Sequence, residues 1–357
     1  DIAEAALREC YVEALQQEIH QLARLANQCA PIQQLYFSGH THRYSPVQLA
    51  SIMNSLRNEL SVESHMLYNY RIDIDPYQMS WSDIGAIRDM GFNRTTFNLP
   101  EKSCDFRQIQ TVYEAARTLQ FCSISFSIPY GYPEQSLSDA ELQLKKTIVL
   151  TPERITLRMH AEAEANPLLP KLLQQAIESF AAAGYGYVGM DCFALPDDDL
   201  IAAQEMGLLA CNTHTQCSYA GCDILGFGTH AVSQIGSLAY QNTNDLQGYI
   251  SSLEHQQLPE ANGTLCSTDD LIRREIIYSL LLQGHISFAM LEQQFSIQFK
   301  HDFTDIYTQL LHMQNDGLIH MDEQQLRMTP QGFLLANAVC KLFDRYHTPR
   351  AIDQHLY

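Results

Sequence analysis

The chain has 357 residues, 46% of them hydrophobic and only 18% charged, a composition that folds rather than staying disordered. Its 41 acidic side chains outnumber 22 basic ones, for a net charge of −19, which argues against a broad phosphate-binding surface and hence against DNA or RNA binding. No run of eighteen apolar residues is present, so no membrane partner is expected. Ten cysteines over this length read as reduced core residues of a cytoplasmic protein rather than a disulfide framework.

The first stretch, residues 3–26, carries Leu7, Tyr11, Leu15, Ile19, Leu22 and Leu25 at three- and four-residue steps and reads as an amphipathic helix, not a signal peptide. An apolar run from Ile32 to Phe37 follows. Ser45-Pro46 then offers a capping hydroxyl and a proline at the first helical position. Tyr68, Tyr70, Ile72 and Ile74 alternate with Asn69, Arg71, Asp73 and Asp75, the pattern of a strand. The unit recurs: helix over 82–90, extended chain over 92–99, helix over 105–119, alternation at Ile124, Phe126 and Ile128, helix over 138–148, alternation at Ile155, Leu157 and Met159, helix over 168–183. Strands alternating with helices of ten or more residues imply βαβ units and a parallel sheet. Five or six units fit a partial or full barrel better than a doubly wound sheet. Because the chain opens on a helix, the first strand of such a barrel is expected to lie outside it.

Residues 184–199 then combine a helix stop at Gly184, an apolar run from Tyr185 to Phe193 expected as the last strand region, and Asp197, Asp198 and Asp199 at a helix start. The pattern changes near residue 200. A glycine-rich segment over 221–236 includes an expected short strand from Ile224 to Phe227. Helices are expected over 244–253, 269–282, 302–314 and 329–346, with a turn at Asp316-Gly317 and a hairpin from Leu318 to Met328. This divides the chain into an α/β barrel-like region (1–200), a connecting segment (201–268) and a helical, winged-helix-like region (269–357).

The wording Gly189-Met190-Asp191-Cys192-Phe193-Ala194-Leu195-Pro196-Asp197-Asp198 resembles the oxygen-independent coproporphyrinogen III oxidases, which are radical S-adenosylmethionine (SAM) enzymes. Tyr130-Gly131-Tyr132-Pro133, Asp223-Ile224-Leu225-Gly226-Phe227-Gly228, Ile272-Arg273-Arg274 and Asp316-Gly317-Leu318 add to the likeness. The resemblance implies a partial (β/α)6 barrel lacking its first strand, with a helical C-terminal domain. It also implies SAM and a [4Fe–4S] cluster held by three thiolates in a C-x3-C-x2-C loop, and loss of carbon dioxide from two substrate propionates. No C-x3-C-x2-C occurs in this sequence. Two expectations follow: the cluster loop lies outside the chain, or the radical machinery is lost.

Further departures favour loss. The family's Gly-Gly-Gly-Thr-Pro corresponds to Ser38-Gly39-His40-Thr41-His42, of which Gly39 and Thr41 fit as SAM-binding positions, and Asp73 matches the acid expected on the SAM ribose. A later aspartate is Ser127, an expected glutamine falls near Pro100, and the histidine after Asp191 is Cys192; family arginines in the last helix are replaced around Phe333 and Asn337. On this reading Asp191, Cys192, Phe193 and Arg273 are the candidate substrate-binding residues, the expected ligand is haem, a porphyrin or another tetrapyrrole, or else a protein partner in haem metabolism, and no residue is assigned as catalytic. Asp191 also reads as a brace for the neighbouring helix, and Arg273-Arg274 as an interdomain ion pair. Cys211, His214, Cys217 and Cys222 have the density of a zinc site, although the spacing fits ordinary reduced thiols as well. His40 and His42 read as polar loop residues or a metal pair. An open sheet edge left by the missing strand would need covering, for which a homodimer is one solution.

Overall fold

The computed structural model describes residues 5–25, 32–60, 62, 68–101, 105–211, 216–217 and 222–346. Helix α1 (Ala5–Leu25) leads to strand β1 (Gln34–Phe37), and the alternation continues through α2 (Pro46–Leu60), β2 (Asn69–Ile74), α3 (Trp81–Asp89), β3 (Arg94–Asn98), α4 (Phe106–Thr118), β4 (Ser123–Tyr130), α5 (Leu137–Val149), β5 (Arg154–Met159) and α6 (Leu169–Ala182). Local chemistry sets the helix starts. Ser80, Asp105 and Ser136 each accept a hydrogen bond from a backbone N–H in the first turn of the helix that follows, satisfying donors the helix itself cannot. Strands β1 to β5 are parallel and adjacent in chain order, as βαβ connections require.

The sixth parallel strand expected over 185–193 does not form. The segment is a hairpin of β6 (Gly186–Tyr187) and β7 (Cys192–Ala194), and β7 runs antiparallel to β5. Three consecutive residues with positive φ, Gly189 (86°), Met190 (48°) and Asp191 (55°), turn the chain. A methyl group on Gly189 would overlap the Leu281 carbonyl, so only glycine admits the helix packed there.

Side chains alternate strictly across the sheet. Leu35, Tyr70, Ile72, Ile74, Phe97, Ile124, Phe126, Ile155, Leu157 and Phe193 join the core beneath the helices. The opposite face carries Tyr36, Arg71, Asp73, Asn98, Ser125, Ser127, Arg154, Thr156 and Cys192, aligned by register: Asp73 with Thr96 and Ser125, then Asn98 with Ser127, Thr156 and Cys192.

Helix α7 (Asp199–Glu205) and a two-residue pair, β8 (Ala210–Cys211) and β9 (Gln216–Cys217), follow the hairpin. The strand expected at Ile224–Phe227 is a single bridge between Ile224 and Gln234. The segment instead builds an antiparallel sheet of β10 (Val232–Ile235), β11 (Leu238–Asn242) and β12 (Glu260–Leu265), with α8 (Leu246–Glu254) between the last two. Glu18 of α1 fastens this sheet to the N-terminal helix. Its fully buried carboxylate accepts from the Gly228 N–H (2.7 Å), Asn242 Nδ2 (2.5 Å) and the Tyr249 hydroxyl (2.7 Å).

The rest is helix α9 (Thr268–Gln283), β13 (His285–Ser287), α10 (Phe288–Phe295), α11 (Phe299–Asp302), α12 (Thr304–Asn315), β14 (Ile319–Met321), β15 (Gln325–Met328), α13 (Pro330–Leu334) and α14 (Ala336–Lys341). The expected hairpin is present and gains β13 as a third strand in the order β13-β15-β14. The single helix expected over 329–346 is broken after Leu334, where Leu335 leaves helical geometry at φ −110° and ψ 27°. A second core gathers around Ile276, Phe299, Leu310 and Phe343. No helix among the described residues is long and apolar enough to cross a membrane.

Candidate functional site

The polar face of the sheet is the site-bearing surface, and its charges fall into two layers. In the deeper layer, Arg154 of β5 donates from Nε to both oxygens of Asp198 (3.0 and 2.8 Å) and from Nη2 to Asp199. Arg94 of β3 reaches Asp199 at 3.0 Å. Burial opposes the charge on Arg154, and the two aspartates overcome it. Arg71 is half-buried, and desolvation, with Arg154 close by, lowers its pKa to about 10. Asp198 doubles as the cap of α7, accepting from the Leu200 N–H at 2.8 Å. The expectation that these acids serve a helix start therefore holds for Asp198, and the arginines on the sheet add a use that helix patterning did not show.

Toward the carboxyl ends of the strands the three residues assigned to SAM come together. Asp73 Oδ1 accepts from the Tyr36 hydroxyl (2.8 Å) and Oδ2 from the Gly39 N–H (3.2 Å), with Asn98 a further donor. The Thr41 hydroxyl donates to the Asp73 carbonyl. Burial pushes the Asp73 carboxyl up, and these donors pull it back. Asn98 also accepts from Arg158 Nη1 (3.3 Å), which bonds the Ser127 hydroxyl as well (3.1 Å), while Arg158 Nη2 reaches the Leu99 carbonyl (3.0 Å). A single hydrogen-bonded chain thus crosses from β1 to β5: Tyr36, Asp73, Asn98, Arg158, Ser127.

Asp191, at the hairpin turn, is treated differently. Its backbone lies in the left-handed region at φ 55°, which L residues other than glycine, asparagine and aspartate adopt rarely. Its N–H donates to the Tyr187 hydroxyl oxygen at 3.3 Å and its carbonyl accepts from the Leu157 N–H at 2.9 Å. Among the described residues no hydrogen bond or ion pair is made to its carboxylate. Burial alone raises its pKa, and its charge opposes ionisation of Tyr130 and Tyr187. A desolvated acid with no partner is costly to the fold and available to a ligand.

The other expected substrate residues do not converge on it. Cys192 is buried on the polar face beside Thr156, and desolvation raises its thiol pKa. Phe193 points the other way, into the core, with ring centroids 4.7 Å from Phe180 and 5.2 Å from Tyr187. Arg273 belongs to the C-terminal core: it pairs with Asp269 (3.0 Å), donates to the Phe343 carbonyl (3.3 Å) and lies over the Phe303 ring. Strand alternation sends Cys192 and Phe193 to opposite faces of β7, and the i,i+4 geometry of α9 gives Arg273 a carboxylate of its own.

The rings of His40 and His42 meet edge to face at 5.6 Å, and burial lowers the His42 pKa. Of the cysteine-histidine group, Cys211 is buried and Cys222 exposed, while His214 lies outside the described residues. Among the described residues no three His, Cys, Asp or Glu side chains gather as metal ligands. Asn98, Tyr36 and Arg158 were missed by sequence reasoning. The available signal was Arg158 itself, a charge at the end of a strand whose neighbours on that face are serine, threonine and asparagine.

The residues toward the expected SAM position do not suit that ligand well. The acid assigned to its ribose is bound within the protein by Tyr36, Gly39 and Asn98, and the guanidinium of Arg158 is bonded to Ser127, where the family carries an aspartate.

Comparison with known proteins identifies relatives over nearly the whole chain. Residues 266–335 match the HemN C-terminal domain. The chain is 34% identical to the oxygen-independent coproporphyrinogen III oxidase of Pseudomonas aeruginosa, over 94% of this chain and 79% of that protein. It is 29% identical to the Escherichia coli oxidase, over 96% and 80%. The solved structure of E. coli coproporphyrinogen III oxidase (HemN), described as a radical SAM enzyme, superposes with a TM-score of 0.90 at 27% identity, covering 96% of this chain and 85% of that one. The chain belongs to the oxygen-independent coproporphyrinogen III oxidase family.

Proposed function

We propose that this protein binds a tetrapyrrole at the carboxyl end of its sheet and does not carry out radical SAM chemistry. The observation that carries this reading is the contrast between two acids. Asp73, the acid assigned to SAM, has three donors from its own chain, whereas the Asp191 carboxylate has none among the described residues and sits in strained backbone between two tyrosines. Pyrrole N–H groups are donors suited to such a carboxylate, and Tyr130 and Tyr187 offer aromatic surface beside it. In this reading the sheet is part of a radical-SAM-type barrel, and the described residues from 269 onward form a winged-helix-like unit, supported by the three-stranded sheet and short helices after α9.

Titration with haem and with coproporphyrin tests it. We expect a shifted porphyrin absorption band and retention of pigment through gel filtration, with no SAM bound in equilibrium dialysis. Neither shift nor retention would overturn the tetrapyrrole part; SAM bound at micromolar affinity would overturn the other.

The 34% identity spread over 94% of the chain favours a second reading, an active oxidase. It predicts that the full-length gene product, reconstituted anaerobically with iron and sulfide, yields a cluster that cleaves SAM.

A further inference from the structure

The arginines on the polar face of the sheet are not equivalent. Arg94 and Arg154 point at aspartates of α7. Arg158, four residues beyond Arg154 on β5, is exposed at the carboxyl end of the strand and bonds only neutral groups: the Asn98 side-chain oxygen, the Ser127 hydroxyl and the Leu99 carbonyl. Among the described residues no carboxylate pairs with it. An unmatched cation in a chain of net charge −19, held in one direction by three acceptors from three backbone segments, is a preorganised anion receptor. Orienting it costs a ligand nothing, since the protein has already fixed the side chain. A guanidinium has five N–H donors. The three bonds use two of Nη1 and one of Nη2, which leaves Nε–H and the second Nη2 hydrogen, the number a carboxylate accepts in a bidentate pair.

We propose that Arg158 anchors a carboxylate of the bound ligand and thereby selects an acidic tetrapyrrole over an uncharged one. This rests on the tetrapyrrole reading and adds to it the charge of the ligand and the residue that reads that charge. Two features support a carboxylate as the group bound. Among the described residues, Arg158 presents one guanidinium without a carboxylate partner at this end of the strands, and its two remaining N–H donors match a single carboxylate. The second is Asp191, in the turn before β7, whose carbonyl accepts from the N–H of Leu157, the residue before Arg158, so one ligand carrying both N–H donors and a peripheral carboxylate can engage both.

The test compares the intact protein with Arg158→Gln and Arg158→Lys, using coproporphyrin and its tetramethyl ester in the same mild detergent. We expect Arg158→Gln to weaken coproporphyrin binding roughly tenfold or more, as loss of a charge-assisted bond does. It should leave the ester unchanged, and Arg158→Lys should fall between. Equal losses for acid and ester, or no loss for either, overturn the proposal. Thermal stabilisation by citrate provides a readout independent of pigment. The intact protein should be stabilised and Arg158→Gln should not; identical citrate responses overturn the anion site even where porphyrin binds. If neither pigment binds the intact protein but citrate still discriminates the variants, the tetrapyrrole reading fails and the carboxylate receptor at Arg158 stands.

Discussion

Asp73 and Asp191 lie toward the same end of one sheet, and the protein treats them in opposite ways. Around Asp73, β1, the loop that follows it and β3 supply a hydroxyl, a backbone N–H and an amide, so the carboxylate is solvated by protein. Around Asp191, the antiparallel hairpin supplies burial and a positive φ but no donor to the carboxylate. The difference teaches where the structure stores free energy. An acid surrounded by its own donors is part of the scaffold, and an acid left bare is a cost retained until a ligand meets it.

The contrast can be broken from either side. The largest effect is expected from Gly189→Ala, which places a methyl against the Leu281 carbonyl in a backbone conformation that alanine disfavours. It should destabilise the fold by about 4 kcal/mol in urea denaturation, with loss of the Asp191 turn read as loss of pigment binding. Next comes Asp73→Ala, which orphans the Tyr36, Gly39 and Asn98 donors. A cost of about 3 kcal/mol is expected, measured in the same way. Asp191→Asn should go the other way and stabilise the protein by on the order of 1 kcal/mol at pH 7. Asparagine tolerates the left-handed backbone and removes the bare charge, while porphyrin affinity should fall.

The pH dependence of this last pair follows from linkage. Burial raises the folded-state pKa of Asp191, so the folded state holds its proton more tightly than the unfolded chain. The stability advantage of protonation is fully present below the unfolded pKa of about 4 and is lost as pH rises through the folded value. The gap between Asp191→Asn and the parent should therefore close at acid pH and open toward neutrality. A gap that is constant between pH 3 and pH 8 would mean that the carboxylate has found a partner. The smallest effect expected is that of SAM on thermal stability, no change in either protein; a clear upward shift would reopen the Asp73 region as a cofactor site.

The parallel part of the sheet was legible because βαβ units write two periods into the chain. Tyr68 to Asp75 and Ser123 to Ile128 alternate, and the intervening helices carry apolar residues every three or four positions. The hairpin at 185–193 was not legible, because Met190 and Asp191 adopt positive φ without being glycine, and only the packing of Leu281 against Gly189 makes that turn necessary. Strand β12 was missed for the opposite reason: all six of its residues are exposed, so Glu260 to Leu265 shows no alternation to read. Of the candidate site, Gly39, Thr41 and Asp73 do come together. Phe193 and Arg273 do not, because a motif that follows the chain crosses from one face of a strand to the other and from one core to the next. Arg158 is visible in the sequence only as one polar residue of an alternating strand; what singles it out is that Arg154, two positions earlier on the same face, has taken the aspartates.

Glu18 has a consequence for the order in which the molecule is made. Its three partners lie 210, 231 and 224 residues further along the chain. Until that later sheet and α8 have formed, docking α1 against the barrel helices would bury a carboxylate with no donor. The N-terminal helix can form early from its own periodicity, but its final seating must wait for the polypeptide beyond residue 249. Closing so long a loop is slow, so α1 is expected to be among the last of the described helices to be locked in place, exposed meanwhile to solvent, chaperones and proteases.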